Sequence, residues 1–539
     1  MAQAVKARTG GHIVAETLEA LGAEVAFGVP GIHALAIWEG LRTSRVRTIG
    51  FRTELNAGFA ADGYARVSRQ PAPLLLSTGP GALISLGALM EAASAHVPVV
   101  AIASQIPSSL IGRGRGYLHE LPDQVASFAP VVKWAARARD AGAVPELIAE
   151  AWQHALTPPS GPVFLEIPVD TLTGETDAPV NVGAGYIPPL QVPADDLLDE
   201  AAGLLREAKR PVIWAGGGVL RSGAEAELAE LARRVGAPVA TTYMGKGAFP
   251  EDDPLAAGSA CDEPAFQELL GEADVVLAAG TQLGAETTGQ YELALGGRLI
   301  QIDAAPERIG ATYPALGLVG DARAMLGALL DRVDARPGDG AERVASVRNG
   351  IAERLEAQDR SLERGLLETI RSALPRDAVS AWDMTILAYW AAAHFPALAP
   401  RRFLYPLGSG TLGYAWPAAL GASLALPGTP MLAVVGDGGF LYGLAELATA
   451  RQYGLRVVLL VVDDGGYGIL REYQRESYDE TVAVDLVQPD FVALAQAFGV
   501  AAESIGPEEI REAVKGALSA EGPVVLHLPT LLRMWAPAA

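Results

Sequence analysis

Two acidic positions in the last third of the chain stand at the ends of apolar runs. MLAVVGDGGF delivers Asp437 into Gly436-Asp437-Gly438-Gly439. After the intervening residues 439–462, VVLLVVDDGGYGIL delivers Asp463 and Asp464, followed by Gly465, Gly466, Tyr467, Gly468 and Ile469. Ligands of open α/β sheets bind at the carboxyl ends of strands. Two carboxylates there suit a hard divalent cation, which takes oxygen ligands. Glycines that free the backbone, beside the start of a helix at about Phe440, suit a phosphate. Mg²⁺ with a diphosphate meets both requirements. Gly-Asp-Gly taken alone reads as readily as an ordinary strand-end turn; the weight lies in the whole pattern.

The elements that must position these residues alternate between strand-like and helix-like along the chain, which argues for an α/β fold with parallel sheets. The 539 residues leave room for about three domains. The first block runs over 1–173, with strands at Val25–Val29, Thr48–Phe51, Leu74–Ser77, Val97–Ala103 and Val163–Val169. A Pro/Gly-rich linker fills 174–194, and a second block covers 195–333, with strands at Pro211–Ala215, Val275–Ala279 and Leu299–Ile302. A charged connector, 334–365, precedes the third block, 366–539. Half the residues are hydrophobic (50%), enough to bury cores and exclude disorder. The formal charge of −22 disfavours nucleic acid and anionic membrane as partners. No apolar run is long enough to span a bilayer. The single cysteine, Cys261, excludes an intrachain disulfide and a thiolate metal cluster. The N-terminus has no apolar signal region and reads as mature protein, so a cytoplasmic location is the default.

Gly436-Asp437-Gly438, the spacer and the acidic pair resemble the thiamine-diphosphate signature. That signature usually ends in Asn-Asn, and Asp463-Asp464 departs from it. Other stretches agree. The strand Thr48–Phe51 leads into Glu54 and the Ala/Gly-rich FRTELNAGFAADGYAR. Gly410-Thr411-Leu412-Gly413-Tyr414-Ala415-Trp416-Pro417 resembles a segment that bends the cofactor, and Gly28–Gly31 and Thr78–Gly81 (Thr78-Gly79-Pro80-Gly81) resemble glycine turns lining its pyrimidine. The chain is similar over its whole length to the acetolactate-synthase-like thiamine-diphosphate enzymes. The order of domains would be pyrimidine-binding, central Rossmann-like, diphosphate-binding. The resemblance implies Mg²⁺ held by Asp437, Asp464 and the Gly466 carbonyl. It implies Glu54 as the residue that activates the aminopyrimidine, Leu412 as a wedge between the rings, and the Gly410 carbonyl as acceptor from the 4′-amino group. It further implies a homodimer or homotetramer with sites between subunits, and a 2-oxo acid substrate that loses CO₂ through a C2 ylid and an enamine.

Three outcomes remain open: a decarboxylase, an acetolactate-synthase-type carboligase, or a non-catalytic relative. The stretch Gly112–Gln124 (GRGRGYLHELPDQ) bears on the choice. Its Leu-His-Glu…Asp-Gln pattern is most similar to the 5-guanidino-2-oxopentanoate (2-ketoarginine) decarboxylases. His119 and Glu120 would face the substrate, with Glu120 pairing a cationic tail and Arg113 or Arg115 a carboxylate; alternatively, His119 and Glu120 bond one another. FAD occurs in the central domain of such synthases but is not favoured here. Gly216-Gly217-Gly218 lacks the dinucleotide register, and Ala256–Ala265 lacks the Met-His-Gly of flavin-binding synthases.

Overall fold

The computed structural model describes residues 7–183 and 193–536. It contains three six-stranded sheets, and every paired strand in them is parallel. The first holds β1 (Val25–Gly28), β2 (Arg47–Gly50), β3 (Ala72–Leu76), β4 (Val99–Gln105), β5 (Trp134–Arg137) and β6 (Val163–Pro168), in the spatial order 2-1-3-4-6-5. The second holds β7 (Pro211–Ala215), β8 (Val239–Thr241), β9 (Ala256–Gly258), β10 (Val275–Ala279), β11 (Arg298–Asp303) and β12 (Leu316–Val319), ordered 12-11-10-7-8-9. The third holds β13 (Val379–Trp382), β14 (Phe403–Leu404), β15 (Met431–Gly436), β16 (Val458–Asp463), β17 (Ala501–Ser504) and β18 (Val524–Pro529), ordered 14-13-15-16-18-17. Renumbered from its own first strand, the third sheet repeats the order of the first. The central sheet has the doubly wound dinucleotide-fold order. The first and third sheets thus each reverse direction beside their first strand, between β1 and β3 and between β13 and β15. Those are the switch points at which open sheets bind ligands.

The buried strands are continuous runs of Val, Leu, Ile and Ala because helices cover both faces. One apolar core joins the first and third domains. At its centre the helix Glu54–Ser68 crosses the helix Ala415–Ala425, and both are built of small residues. A Cβ on Gly63 would lie 2.1 Å from the Ala418 carbonyl oxygen, and one on Gly421 would lie 1.9 Å from that of Ala60. The Ala/Gly richness around Glu54 therefore has a packing cause: two backbones touch.

Several expected bounds shift. The strand expected from Val97 begins at Val99 and runs to Gln105. Residues 334–365 are more than a connector. The helix Gly340–Glu356 packs Val344 and Val347 into the central domain, and the helix Ser361–Ala373 packs Leu366, Leu367 and Ile370 into the third. Residues 184–192 of the expected linker lie outside the described residues. Among the described residues, no helix is long and apolar enough to cross a membrane.

Candidate active site

Asp437 is the first residue of the helix Asp437–Gly443, capped by Gly436, so this helix starts three residues before the expected Phe440. Gly438 and Gly439 form its first turn because side chains there would collide. A Cβ on Gly438 would lie 2.6 Å from Tyr467 Cε1, and one on Gly439 would lie 3.1 Å from Asp383 Oδ1. Asp437 is 1% exposed, and Gln488 Nε2 donates to its Oδ2. Burial first, and then the neighbouring Asp464 and Asp463 carboxylates, push its pKa up to about 7. Asp464 lies one residue past β16, and burial pushes it up to about 6 against the lowering effect of Arg471. Its Oδ1 is buried without a hydrogen-bond partner, and Arg471 Nη1 stands 3.9 Å away. Gly468 leaves just enough room for this carboxylate: a Cβ there would sit 1.9 Å from Asp464 Oδ2. Asp463 is occupied elsewhere, paired with His527 Nε2 at 3.0 Å and accepting from the Gly465 N–H. Gly466 has φ 149, and its edge is braced by Tyr467 N–H donating to the Val484 carbonyl. Ile469 is buried at the start of the next helix.

Among the described residues, no group of three His, Cys, Asp or Glu is assembled for a metal. This set has two carboxylates, an unpaired buried oxygen and the Gly466 backbone. A divalent cation here would draw its remaining ligands from a phosphate, and it would offset the burial and the neighbouring carboxylates that raise both aspartates.

The Gly410–Tyr414 segment is held by a residue that had no place in the expected site, Asp383. Asp383, fully buried at the end of β13, accepts N–H bonds from Met384 and Gly413 on Oδ1 and from Ala415 on Oδ2. Burial pushes its pKa up to about 6 despite those donors. Gly410 (φ 66) and half-buried Leu412 are thereby fixed beside the helix that Asp437 begins. A Cβ on Gly413 would strike Tyr442. A second link runs from the first domain. Glu91 accepts from Ser409 N–H and Oγ and pairs with Arg66, which also pairs with Asp62.

In the first domain Glu54 is the first residue of its helix, capped by Thr53, whose side chain accepts the Asn56 N–H. Burial raises its carboxyl above the ordinary range. A Cβ on Gly81 would lie 2.8 Å from Glu54 Oε1, so the carboxylate rests on the Gly79–Gly81 turn. Pro80 opens the short helix Pro80–Ile84 behind that turn, and Gly79 donates its N–H to Gln124 Oε1. Gln124 is in turn held by Glu166 and by the Ser104 carbonyl. His119 lies directly over Gly79: a Cβ there would be 2.8 Å from the His119 carbonyl oxygen. Glu120 is engaged within its own loop. Its carboxylate accepts backbone N–H groups of Gly114, Arg115, Gly116 and Tyr117, which closes the loop and lowers its pKa. Those four bonds close the loop that carries His119.

The family comparisons bear on this arrangement directly. The models of the thiamine pyrophosphate enzymes match residues 8–127 (N-terminal TPP-binding domain), 198–329 (central domain) and 383–528 (C-terminal TPP-binding domain). The chain belongs to the thiamine pyrophosphate enzymes. It is similar to a probable 2-ketoarginine decarboxylase of Pseudomonas aeruginosa, 39% identical over 515 residues, which cover 95% of this chain and 91% of the relative. It is also similar to a probable acetolactate synthase large subunit of Methanocaldococcus jannaschii, 34% identical over 548 residues, 96% of this chain and 91% of the relative. An acetolactate synthase of Mycobacterium bovis is 33% identical over 519 residues, 92% of this chain and 83% of the relative. The chain is accordingly an enzyme of the thiamine-diphosphate-dependent decarboxylase and acetolactate-synthase-like type.

A cleft of about 410 Å³ lies between the central domain and the other two, with walls that include Gly217, Arg221, Thr281 and Arg308 as well as His96 and Gly408. Arg221 covers its glycine turn, since a Cβ on Gly217 would meet the guanidinium at 2.6 Å. Of the residues the sequence reading missed, Asp383 had a signal: an aspartate directly after the apolar strand Val379–Trp382. Gln488, in an irregular stretch after the helix Gly468–Ser477, had none.

Proposed function

We propose that this enzyme removes CO₂ from a 2-oxo acid and releases an aldehyde, using thiamine diphosphate held with Mg²⁺. The observation that carries this reading is the pair Asp437 and Asp464, buried at the third sheet's switch point with carboxyl pKa values raised by burial and by neighbouring carboxylates. When bound, the cofactor supplies the electron sink that lets a 2-oxo acid lose its carboxylate. Asp437, Asp464 and the Gly466 carbonyl would hold the cation. Gly436, Gly438 and Gly439 would let the diphosphate approach the backbone at a helix start, where it meets free N–H groups.

Glu54 keeps its proton more tightly than an exposed carboxyl, because it is half-desolvated. It would share that proton with the pyrimidine ring. Gly79 and Pro80 shape the turn against which that ring would rest. Leu412 and the Gly410 carbonyl would fix the cofactor's bend, with Asp383 holding their backbone. Tyr467, Gly468 and Ile469 would wall the diphosphate side. His119 would face the substrate. In this reading the domains span 1–173, 195–333 and 366–539, and the working form is a homodimer or homotetramer in the cytoplasm. Exposed apolar residues on the first and third domains, Ile32, Leu35, Ile84, Leu441 and Tyr442 among them, suit a subunit interface.

The relative named for 2-ketoarginine favours a substrate with a cationic tail. The carboligase alternative is supported by the relatives named acetolactate synthase. A flavin is not favoured. Incubation with a panel of 2-oxo acids, thiamine diphosphate and Mg²⁺, with CO₂ and product identified, separates them. Aldehyde supports the proposal, hydroxyketone supports the alternative, and the absorbance of the purified protein decides the flavin.

A further inference from the structure

Glu286 lines the cleft between the domains, together with Leu407 and Gly408 of the third. It sits in the short turn Ala285–Thr287 after β10, at the central sheet's own switch point between β7 and β10. The loop that carries it has an unfavourable backbone. Leu283 (φ 52), Gln290 (φ 57) and Tyr291 (φ 71) are all left-handed, a conformation that residues with a Cβ rarely take. Strain of this kind persists only where the surroundings impose it, and it gathers at functional sites. Here three threonines impose it. Thr281 Oγ1 accepts the Leu283 N–H, Thr288 Oγ1 accepts the Tyr291 N–H, and Thr312 Oγ1 donates to the Leu283 carbonyl. Glu286 is thereby held exposed to the cleft, with Gln290 Nε2 donating to its Oε1 at 3.4 Å. Among the described residues no Lys, Arg or His nitrogen lies within 4 Å of this carboxylate.

The groups around Glu286 come from the third domain. Tyr389 is on the helix Ile386–His394, Tyr405 follows β14, and Tyr473 is on the helix Gly468–Ser477. Burial first, and then neighbouring groups that include Glu286, raise the pKa of all three phenols. Tyr405 is buried, while Tyr473 is 50% exposed and also feels Glu472 and Glu476. Two of these elements begin at the cofactor site. The helix of Tyr473 opens at Gly468, the residue packed on Asp464. The helix of Tyr389 follows Met384, whose Cε would lie 3.9 Å from a Cβ on Gly410. Leu407 and Gly408, in the cleft wall, run directly into Gly410. The cleft's cations act elsewhere: Arg221 donates to the Ala95 carbonyl, and Arg221 and Arg308 bear on His96 and Asp303. The end of the cleft toward the third domain is therefore acidic and aromatic. A guanidinium suits it, because that group pairs with a carboxylate through two N–H bonds and stacks its flat face on aromatic rings.

We infer that Glu286, with Tyr389 and Tyr473, receives the cationic tail of the substrate and so selects a guanidino 2-oxo acid over uncharged ones. The inference rests on the decarboxylase reading above and names the group that reads the tail. 5-Guanidino-2-oxopentanoate carries opposite charges at its two ends, separated by three methylene groups. The Glu286 carboxylate attracts the guanidinium and repels the substrate's own carboxylate. It therefore also decides which end of the molecule turns toward Gly410 and the cofactor. Tyr473 supplies a ring face to the tail, and its helix ties the position of the tail to that of Asp464.

The test uses the full chain with thiamine diphosphate and Mg²⁺. CO₂ release is followed from 5-guanidino-2-oxopentanoate, from 5-ureido-2-oxopentanoate (the same length and shape without the charge), from 2-oxopentanoate and from pyruvate. Wild type, Glu286→Gln and Tyr473→Leu are compared, and cofactor affinity is followed by fluorescence titration. Wild type should have its highest kcat/KM on the guanidino acid. Glu286→Gln should lower that value by about 10- to 100-fold, chiefly through KM. It should leave the three uncharged-tail acids and the cofactor affinity unchanged, and remove the salt dependence of KM for the guanidino acid. Tyr473→Leu should also act selectively on the guanidino acid. An unchanged guanidino acid in Glu286→Gln, an equal loss for charged and uncharged tails, or a loss that follows cofactor affinity overturns the assignment. A wild type that decarboxylates the uncharged acids as well as the guanidino acid overturns this inference and leaves the decarboxylase reading intact. A wild type that releases no CO₂ from any of the four overturns both.

Discussion

Gly468→Ala is the sharpest test of the cation site, because a single methyl group acts on one carboxylate. The new Cβ would lie 1.9 Å from Asp464 Oδ2, 2.8 Å from its Cγ and 3.1 Å from Oδ1. Real Cβ atoms stay at least 3.0 Å from such neighbours, so the oxygen must retreat by 3.0 − 1.9 = 1.1 Å. A displacement of about 1 Å at a positioned group costs on the order of 100-fold. The backbone itself has no objection: Gly468 is the first residue of a helix, outside the left-handed region, where alanine is favoured over glycine by up to ~1 kcal/mol. Thermal stability without cofactor should therefore hold or rise slightly, while the Mg²⁺-dependent affinity for thiamine diphosphate falls by about two orders of magnitude. Calorimetric titration of cofactor at fixed Mg²⁺ reads this directly. Gly516→Ala, on a helix with no heavy atom within 4 Å of its new Cβ, is the matched control. Equal affinity in Gly468→Ala and wild type would refute the assignment of Asp464 to the cation.

Glu54→Gln should fold with an unchanged melting temperature yet lose turnover; full activity in a steady-state assay would sink its role as proton partner. Arg471→Gln removes the cation nearest Asp464 and should weaken cofactor binding by several-fold at low Mg²⁺, and Asp464→Asn should restore it, as titration of the single and double variants would show. Gly421→Ala forces a methyl group against the Ala60 backbone and should cost about 1–3 kcal/mol by denaturant unfolding, with the first and third domains loosening together. Asp383 has a raised folded-state pKa, so the folded chain binds its proton more tightly than the unfolded chain. Its contribution is full below the unfolded value and fades as pH rises to about 6. Melting temperatures across pH 4–8 should carry that slope in wild type and a shallower one in Asp383→Ala, where the other raised carboxyls, Asp437 and Asp464 among them, still contribute to it.

The parts of the fold legible in the sequence were those carried by local pattern. The apolar runs ending in Asp437 and Asp464 announced buried parallel strands, because residues covered on both faces show no alternation. The start of the helix at Asp437 was misjudged since Gly438 and Gly439 have poor helix propensity. Collisions with Tyr467 and Asp383 require them, and those neighbours come from other segments. The same holds for Glu120. Its acidic side chain suggested a cationic ligand, and only the closed loop revealed four backbone N–H groups as its partners. Glu286 and Gln488 had no local signal at all. Each gains its meaning from residues elsewhere in the chain, Tyr389 and Tyr473 for one and Asp437 for the other. The departure at Asp463-Asp464 also changes in character. Asp463 is bound to His527, and Asp464 has Arg471 nearby, so the added charge is partly balanced within the fold.

The central claim is that this chain decarboxylates a 2-oxo acid only when thiamine diphosphate and a divalent cation occupy the Asp437–Asp464 site. Release of CO₂ from the panel of 2-oxo acids, measured with cofactor and Mg²⁺ and again after removal of either, tests it most directly. The account predicts CO₂ with a matching amount of aldehyde, abolished by chelation and by Asp437→Ala. CO₂ release that survives both treatments, or none from any acid in the complete mixture, would contradict it.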